Sequence, residues 1–225
     1  MFSLALPIML HLGPLRLSPY RLLLIVTFVP CLLAWIYGSL GRIRTPDLLI
    51  LAAALWTAAA LVVHLGAVQA LESGGIYIVE TFGTYLLARW LVRDANAFEA
   101  MARSLFWVIA VLLPFAVVEA VTARPILNEI LGTVFEVFPD VPKLPRWGLD
   151  RVQGPFEHPI LFGVFCSAGF ALSYYVLGYG RRGLDRLLRP AVVVVSVGLS
   201  MSSGPLSALM AQVGIVAWDR LFRRF

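Results

Sequence analysis

A short segment of this sequence places a cation, a carboxylate and an imidazole just before a run of apolar residues. Arg151, Glu157 and His158 precede Pro159, a residue type that favours the first turn of a helix. A guanidinium beside a helix N-terminus makes an anion site, because free amide groups, the helix dipole and the charge all favour phosphate. We therefore predict that Arg151 binds phosphate. For His158, the alternative is that it only caps the helix beginning at Pro159.

A serine-rich turn supplies a second candidate. A continuous helix over 190–218 would be about 43 Å long, against about 30 Å of bilayer core. Ser202, Ser203 and Gly204 precede Pro205, a pattern that ends one helix and begins another. Two helix N-termini facing one cavity would suit a diphosphate. The alternative is that the serine hydroxyls only satisfy backbone groups freed by the bend.

Other ionisable residues lie near the ends of apolar segments. Charge within a membrane span is costly and by default indicates a functional site. The supporting polar residues predicted at the outer face are Glu80, Glu119, Arg124, Glu157 and His158. None lies near the centre of a span, which argues against a proton relay across the membrane. For Glu80 and Glu119, the alternative is snorkelling to the interface or pairing with Arg124.

Apolar segments must position all of these residues. Hydrophobic residues make up 60% of the chain and charged residues 14%, unlike a soluble domain. About 20 helical residues cross a bilayer core. The predicted fold is all-α, a polytopic transmembrane helical bundle forming a single domain over 1–225. Its predicted spans are 20–38, 47–65, 76–92, 105–121 and 159–178, followed by the short helix pair 190–201 and 205–218.

Basic residues set the predicted orientation. Three connections between spans carry them, namely Arg42 and Arg44; Arg89, Arg93 and Arg103; and Arg181, Arg182, Arg186 and Arg189. The positive-inside rule makes their common side cytoplasmic, so the loop 122–158 lies on the outer, periplasmic face. Within that loop, apolar residues fall on one side of a predicted amphipathic helix that begins at Pro125 and ends at Pro139.

Composition also excludes several classes of site. The net charge of +5 lies beside the spans, so topology explains it and no nucleic-acid partner is predicted. Cys31 and Cys166 lie far apart within apolar spans, which indicates buried thiols. No metal site and no cofactor are predicted.

Three segments together resemble a known family. The segment from Arg151 to Gly163, RVQGPFEHPILFG, resembles the point at which O-antigen ligases and O-antigen polymerases re-enter the membrane. In that family an arginine precedes a glycine, an aromatic residue and a proline at this spacing. The segment 199–205, LSMSSGP, resembles their serine-rich turn, and 85–89, YLLAR, fits the bacterial envelope-polysaccharide branch.

The resemblance implies an activity. Members of the O-antigen ligase and polymerase family are metal-independent, inverting glycosyltransferases of the bacterial inner membrane whose site faces the periplasm. They move a glycan from undecaprenyl diphosphate to a lipid or glycan acceptor during envelope or exopolysaccharide assembly. By resemblance, Arg151 with Ser202, Ser203 and Gly204 would hold the donor diphosphate and offset charge on the leaving group.

Two departures from the family bear on catalysis. Ser203 stands where many members carry an arginine. The resemblance covers only the N-terminal half of family members, and their proposed base lies in a later loop, so the catalytic residues are unknown. We expect a fragment, a degenerate copy, or a split enzyme whose partner is a separately encoded C-terminal half. The alternatives are a non-catalytic membrane component that binds a lipid-linked glycan and, ranked last, a secondary transporter.

Overall fold

The architecture is predominantly helical in a computed structural model that describes residues 2–12, 15–141 and 143–222. A 3-10 helix, Phe2–Ala5, comes first, and two paired strands follow at Leu10–Leu12 and Leu15–Leu17. The α-helices are α1 Pro19–Ile36, α2 Thr45–Leu65, α3 Ala67–Ile78, α4 Thr84–Leu91, α5 Ala95–Thr122, α6 Ile126–Leu131, α7 Pro159–Ser167, α8 Gly169–Ala171, α9 Leu184–Leu199 and α10 Ser203–Phe222. Two π-helical turns, Val79–Gly83 and Leu172–Val176, join α3 to α4 and extend α8.

Four helical segments in the described part of the chain are long and apolar enough to cross a membrane. They are α1, α2, α5 and the run Pro159–Val176. Many of their apolar side chains face outwards, as shown by Trp56 and Val63 of α2, which are 78% and 82% exposed. Exposed apolar surface on helices of this length suits contact with lipid. The chain is therefore a helical membrane protein, which confirms the predicted fold class at this level.

The helices agree with the predicted spans to different degrees. Each of the four apolar segments overlaps a predicted span. The predicted span 76–92 instead falls within the helical run from α3 to α4, which the π turn interrupts and which is not among those four. The division of the chain into one transmembrane domain stays a prediction. In the structure the chain forms two compact units, His11–Ala97 and Met1–Leu10 with Phe98–Phe225.

The unit His11–Ala97 is built around an aromatic core. Trp35 of α1 meets Phe82 of the π turn edge to face, with ring centroids 5.5 Å apart. Cys31, Ala54 and Leu86 complete this buried cluster from α1, α2 and α4. Aromatic pairs of this geometry add specific packing to the burial of apolar surface. The cluster fixes α1, α2 and α4 against each other.

The other unit packs α5, α7 and α9 around a second core. Ile109, Phe162 and Val193 are fully buried in it. The helix break predicted near the C-terminus is present, since α9 ends at Leu199 and α10 begins at Ser203. Between them, Met201 adopts a left-handed backbone with φ of 44°. The second helix of the pair is longer than the predicted 205–218.

The outer loop differs from its prediction. The predicted amphipathic helix from Pro125 to Pro139 is wrong in length, because only the six residues of α6 are helical. The following backbone pairs with the N-terminal segment instead, with Met9 donating to the Glu136 carbonyl at 2.7 Å and Phe138 to that of Pro7 at 3.2 Å. These non-local hydrogen bonds use backbone groups that a longer α6 would need, so α6 ends early.

Candidate functional site

The residue Arg151 lies at the break between α9 and α10. Its Nη2 donates to the Ser202 hydroxyl at 2.8 Å, and that hydroxyl donates in turn to the Ser200 carbonyl at 3.0 Å. The backbone N–H of Val152 donates to the Leu199 carbonyl at 3.1 Å. The segment that contains Arg151 is therefore attached to the end of α9 by its backbone and to the break by its side chain.

A second guanidinium joins the same break. Arg146 Nη1 donates to the Met201 carbonyl at 2.6 Å. Burial and the neighbouring charge of Arg146 hold the pKa of the Arg151 guanidinium below its ordinary value. Arg146 was not among the site residues predicted from the sequence. The signal that could have singled it out is its spacing of five residues from Arg151, within one loop.

Among the described residues, these two cations have no acidic partner. Within residues 2–12, 15–141 and 143–222, no carboxylate lies within ion-pair distance of Arg146 or Arg151. The Nε atom of Arg151 is buried and has no hydrogen-bond partner. The 20-residue α10 begins beside them, with Ser203 and Gly204 exposed in its first turn. Two guanidiniums and the amino end of a helix together can hold a phosphate or diphosphate.

A buried carboxylate positions the segment after Arg151. Glu119 of α5 accepts from the backbone N–H groups of Gln153 at 2.9 Å and Gly154 at 3.1 Å, and from Lys143 Nζ at 3.1 Å. Glu119 and Lys143 are almost completely shielded from solvent. The Gln153 side chain is also buried and donates to the Pro139 carbonyl at 3.2 Å. Glu119 is thus a positioning residue rather than a free base.

The alternative in which Glu119 or Glu80 pairs with Arg124 is wrong. Arg124 instead forms an exposed ion pair with Glu129, at 2.7 Å between Nη2 and Oε2. Glu80 belongs to the unit His11–Ala97 and pairs there with Arg21 at 2.6 Å. The pairs Arg21–Glu80 and Arg124–Glu129 could not be predicted from hydrophobic periodicity, because the fold and the path of the loop decide which charged residues lie close together.

The helix α7 approaches the break closely. A Cβ atom at Gly163 would lie 2.5 Å from Ser200 Oγ and 2.7 Å from Pro205 Cβ, so only glycine fits. His158 caps this helix, since its Nδ1 accepts from the Ile160 N–H at 3.2 Å. The simpler alternative for His158 is therefore present in the structure. Glu157 is exposed.

The unit His11–Ala97 contains a polar cluster around Asp47 that was not predicted from the sequence. Asp47, in the first turn of α2, is fully buried. It accepts hydrogen bonds from Tyr85 and Arg89 side chains, from Trp35 Nε1 at 3.1 Å and from the Arg44 N–H at 2.8 Å. The sequence feature that could have revealed this cluster is a carboxylate at the start of an apolar helix, because a buried carboxylate requires hydrogen-bond or charged partners.

Among the described residues, no group of three or more histidine, cysteine, aspartate or glutamate side chains could hold a metal ion. Comparison of the chain with known protein families, with curated proteins and with solved structures finds no match.

Proposed function

We propose that this chain is an O-antigen ligase-like membrane glycosyltransferase, or the donor-binding half of one. In this proposal it moves a glycan from undecaprenyl diphosphate to a lipid or glycan acceptor during envelope or exopolysaccharide assembly. The observation that carries the proposal is the pair Arg146 and Arg151, which meet at the start of α10 with no carboxylate in ion-pair distance among the described residues. Ser202, Ser203 and Gly204 complete the proposed diphosphate site.

The chemistry of the pair suits a diphosphate leaving group. A guanidinium presents several N–H donors in a fixed plane, which matches two phosphate oxygens. Arg151 uses Nη2 for Ser202 and Arg146 uses Nη1 for Met201, so each retains donors for an anion. Fixed positive charge is effective in catalysis where negative charge develops, here on the departing diphosphate. Glu119 supports this role by holding Gln153 and Gly154 in place.

The proposed location is the bacterial inner membrane, with the site at the periplasmic face. Arg151 precedes α7 at one end of the run Pro159–Val176, and the basic connection 181–189 follows the other end. The positive-inside rule favours a cytoplasmic position for the basic end. The diphosphate of a lipid-linked donor would then reach Arg151 from the outer leaflet.

A non-catalytic component that binds a lipid-linked glycan is the second candidate. Both carboxylate oxygens of Glu119 already accept hydrogen bonds, and His158 Nδ1 caps α7. A general base needs a free lone pair within reach of the attacking hydroxyl. Glu119 and His158 are therefore assigned positioning and capping roles, and this candidate requires no general base.

Titration of undecaprenyl diphosphate into the purified chain in nanodiscs tests the site. We expect R151Q and R146Q each to weaken binding about tenfold, since charged hydrogen bonds contribute about 1.5–3 kcal/mol. R124Q is the matched control, because it removes an equal charge from the same loop but from an exposed pair with Glu129. Equal affinity of R151Q, R146Q and R124Q would reject the proposed site.

A transfer assay separates the two candidates. The purified chain would be incubated with an undecaprenyl-diphosphate glycan and a membrane extract that contains acceptors. Transfer that R151Q abolishes supports the glycosyltransferase. Binding that R151Q weakens, without transfer by the unaltered chain, supports the non-catalytic component or an isolated donor-binding half.

A further inference from the structure

The unit His11–Ala97 contains a cavity rich in arginine. Its volume is about 360 Å³, and it lies between the loop that joins α1 to α2 and the end of α4. The cavity is lined by Ser39, Leu40, Gly41, Arg44, Arg89, Val92 and Arg93. Three guanidiniums thus line a space within the usual size range of small-ligand sites.

One wall of this cavity is held rigidly. Arg89 donates through Nη1 to the buried carboxylate of Asp47 and through Nη2 to the carbonyls of Leu40 at 3.0 Å and Arg42 at 2.8 Å. Asp47 also accepts from the Arg44 N–H. The loop is therefore fastened to α4 by Arg89 and to the first turn of α2 by Asp47. The charge of Arg89 is balanced within this network.

The other two guanidiniums are not balanced. Arg93 donates from Nε to the Trp90 carbonyl at 2.9 Å, which leaves its two terminal nitrogen atoms available. Its neighbour Asp94 instead accepts from the Ala97 N–H at the start of α5. In the part of the chain that the structure describes, no carboxylate forms an ion pair with Arg44 or Arg93. The cavity lining consequently has an excess positive charge.

The position of the cavity indicates the kind of anion. The loop joins α1 to α2, and both helices are long and apolar enough to cross a membrane, so their connection lies at the membrane surface. Anionic headgroups accumulate there, and basic pockets beside membrane helices bind them. Planar guanidiniums match phosphate oxygens in pairs. Arg44 and Arg93 present two such groups in the cavity that the fixed Arg89 also lines.

We infer that this cavity is a binding site for the phosphate group of an anionic lipid or of a soluble phosphate compound. Arg44 and Arg93 contact the phosphate, while Arg89 and Asp47 hold the loop that carries Arg44. The inference does not depend on the proposed glycosyltransferase function, because Arg146 and Arg151 take no part in it.

Two binding measurements on the full chain distinguish the sources of phosphate. In the lipid measurement, native mass spectrometry follows phosphatidylglycerol retained after extraction from mixed phosphatidylcholine and phosphatidylglycerol nanodiscs. In the soluble measurement, calorimetry follows inorganic phosphate and pyrophosphate added to the chain in phosphatidylcholine nanodiscs. Retention of phosphatidylglycerol identifies a lipid headgroup, and heat from the added anions identifies a soluble ligand. The absence of both signals would overturn the inference.

The variant R44Q/R93Q tests the assigned residues. We expect it to weaken binding tenfold or more, which corresponds to the loss of at least one charged hydrogen bond. The control R42Q/R103Q removes the same charge from residues that do not line the cavity, and we expect wild-type binding from it. If R44Q/R93Q does not fold, the single variant R93Q replaces it, because Arg93 is exposed at the end of α4. Equal binding by lining and control variants would overturn the inference.

Discussion

Arg151 and Ser202 are 51 positions apart in the sequence and are joined by a hydrogen bond of 2.8 Å from Nη2 to Oγ. The bond connects the end of the outer loop to the break between α9 and α10. Arg146 reaches the same break through the Met201 carbonyl. Two cations from one loop are thereby held at the amino end of a long helix.

The Ser202 hydroxyl is expected to orient Arg151. In S202A the guanidinium loses its acceptor, so we expect undecaprenyl diphosphate to bind about fivefold to tenfold more weakly in a nanodisc titration. S202T keeps the hydroxyl and should retain most of the affinity. S207A is the control, since Ser207 is exposed in α10 and lies outside the proposed diphosphate site. Equal loss in S202A and S207A would contradict an orienting role.

The close approach of α7 to the helix break should make Gly163 intolerant of a side chain. In G163A the new Cβ would overlap Ser200 Oγ and Pro205, and overpacking of this kind costs about 1–3 kcal/mol. Gly198 in α9 has no heavy atom within 4 Å of its Cβ position. G198A should therefore be neutral or slightly stabilising. Thermal unfolding in detergent measures both, and equal midpoints would contradict the packing described here.

The buried pair of Glu119 and Lys143 should contribute far more to the free energy of unfolding than an exposed pair does. E119Q leaves Lys143 with only Asp140 and weakens the hold on Gln153 and Gly154, so we expect about 3 kcal/mol of destabilisation. E99Q, which breaks the exposed pair with Arg103, should change stability by less than about 0.5 kcal/mol. The readout is resistance to unfolding and to proteolysis. A stable E119Q would show that the carboxylate charge is dispensable.

Asp47 should be the stability centre of the unit His11–Ala97. D47N leaves the Arg89 guanidinium without its buried counter-charge, and we expect a loss of about 3–5 kcal/mol. Y85F keeps the ring, removes one hydroxyl donor to the same carboxylate and should cost about 1.5–3 kcal/mol. Unfolding of the two variants would be compared under the same conditions. Equal effects would show that the Tyr85 hydroxyl stabilises the unit as much as the Asp47 charge does, and would contradict the central role of the ion pair with Arg89.

The sequence by itself determined four membrane-length helical segments and the position of the helix break. Apolar runs of sufficient length have no stable alternative to a helix in lipid, because every backbone polar group must be bonded within the segment. The pattern Ser-Gly-Pro marks a chain reversal through local backbone preferences, and α10 begins at Ser203 accordingly. The placement of Arg151 and His158 before α7 also follows from the local position of Pro159.

The tertiary structure decided which charges meet. Glu119 pairs with Lys143 and not with Arg124, and Arg146 joins Arg151 at the break. Hydrophobic periodicity does not specify which helices are neighbours, and a flexible loop can bring many different cations to one carboxylate. The predicted helix from Pro125 to Pro139 ended early for the same reason, since its second half found hydrogen-bond partners at the N-terminal segment. Local pattern therefore defined the elements, while contacts between residues distant in sequence defined the site.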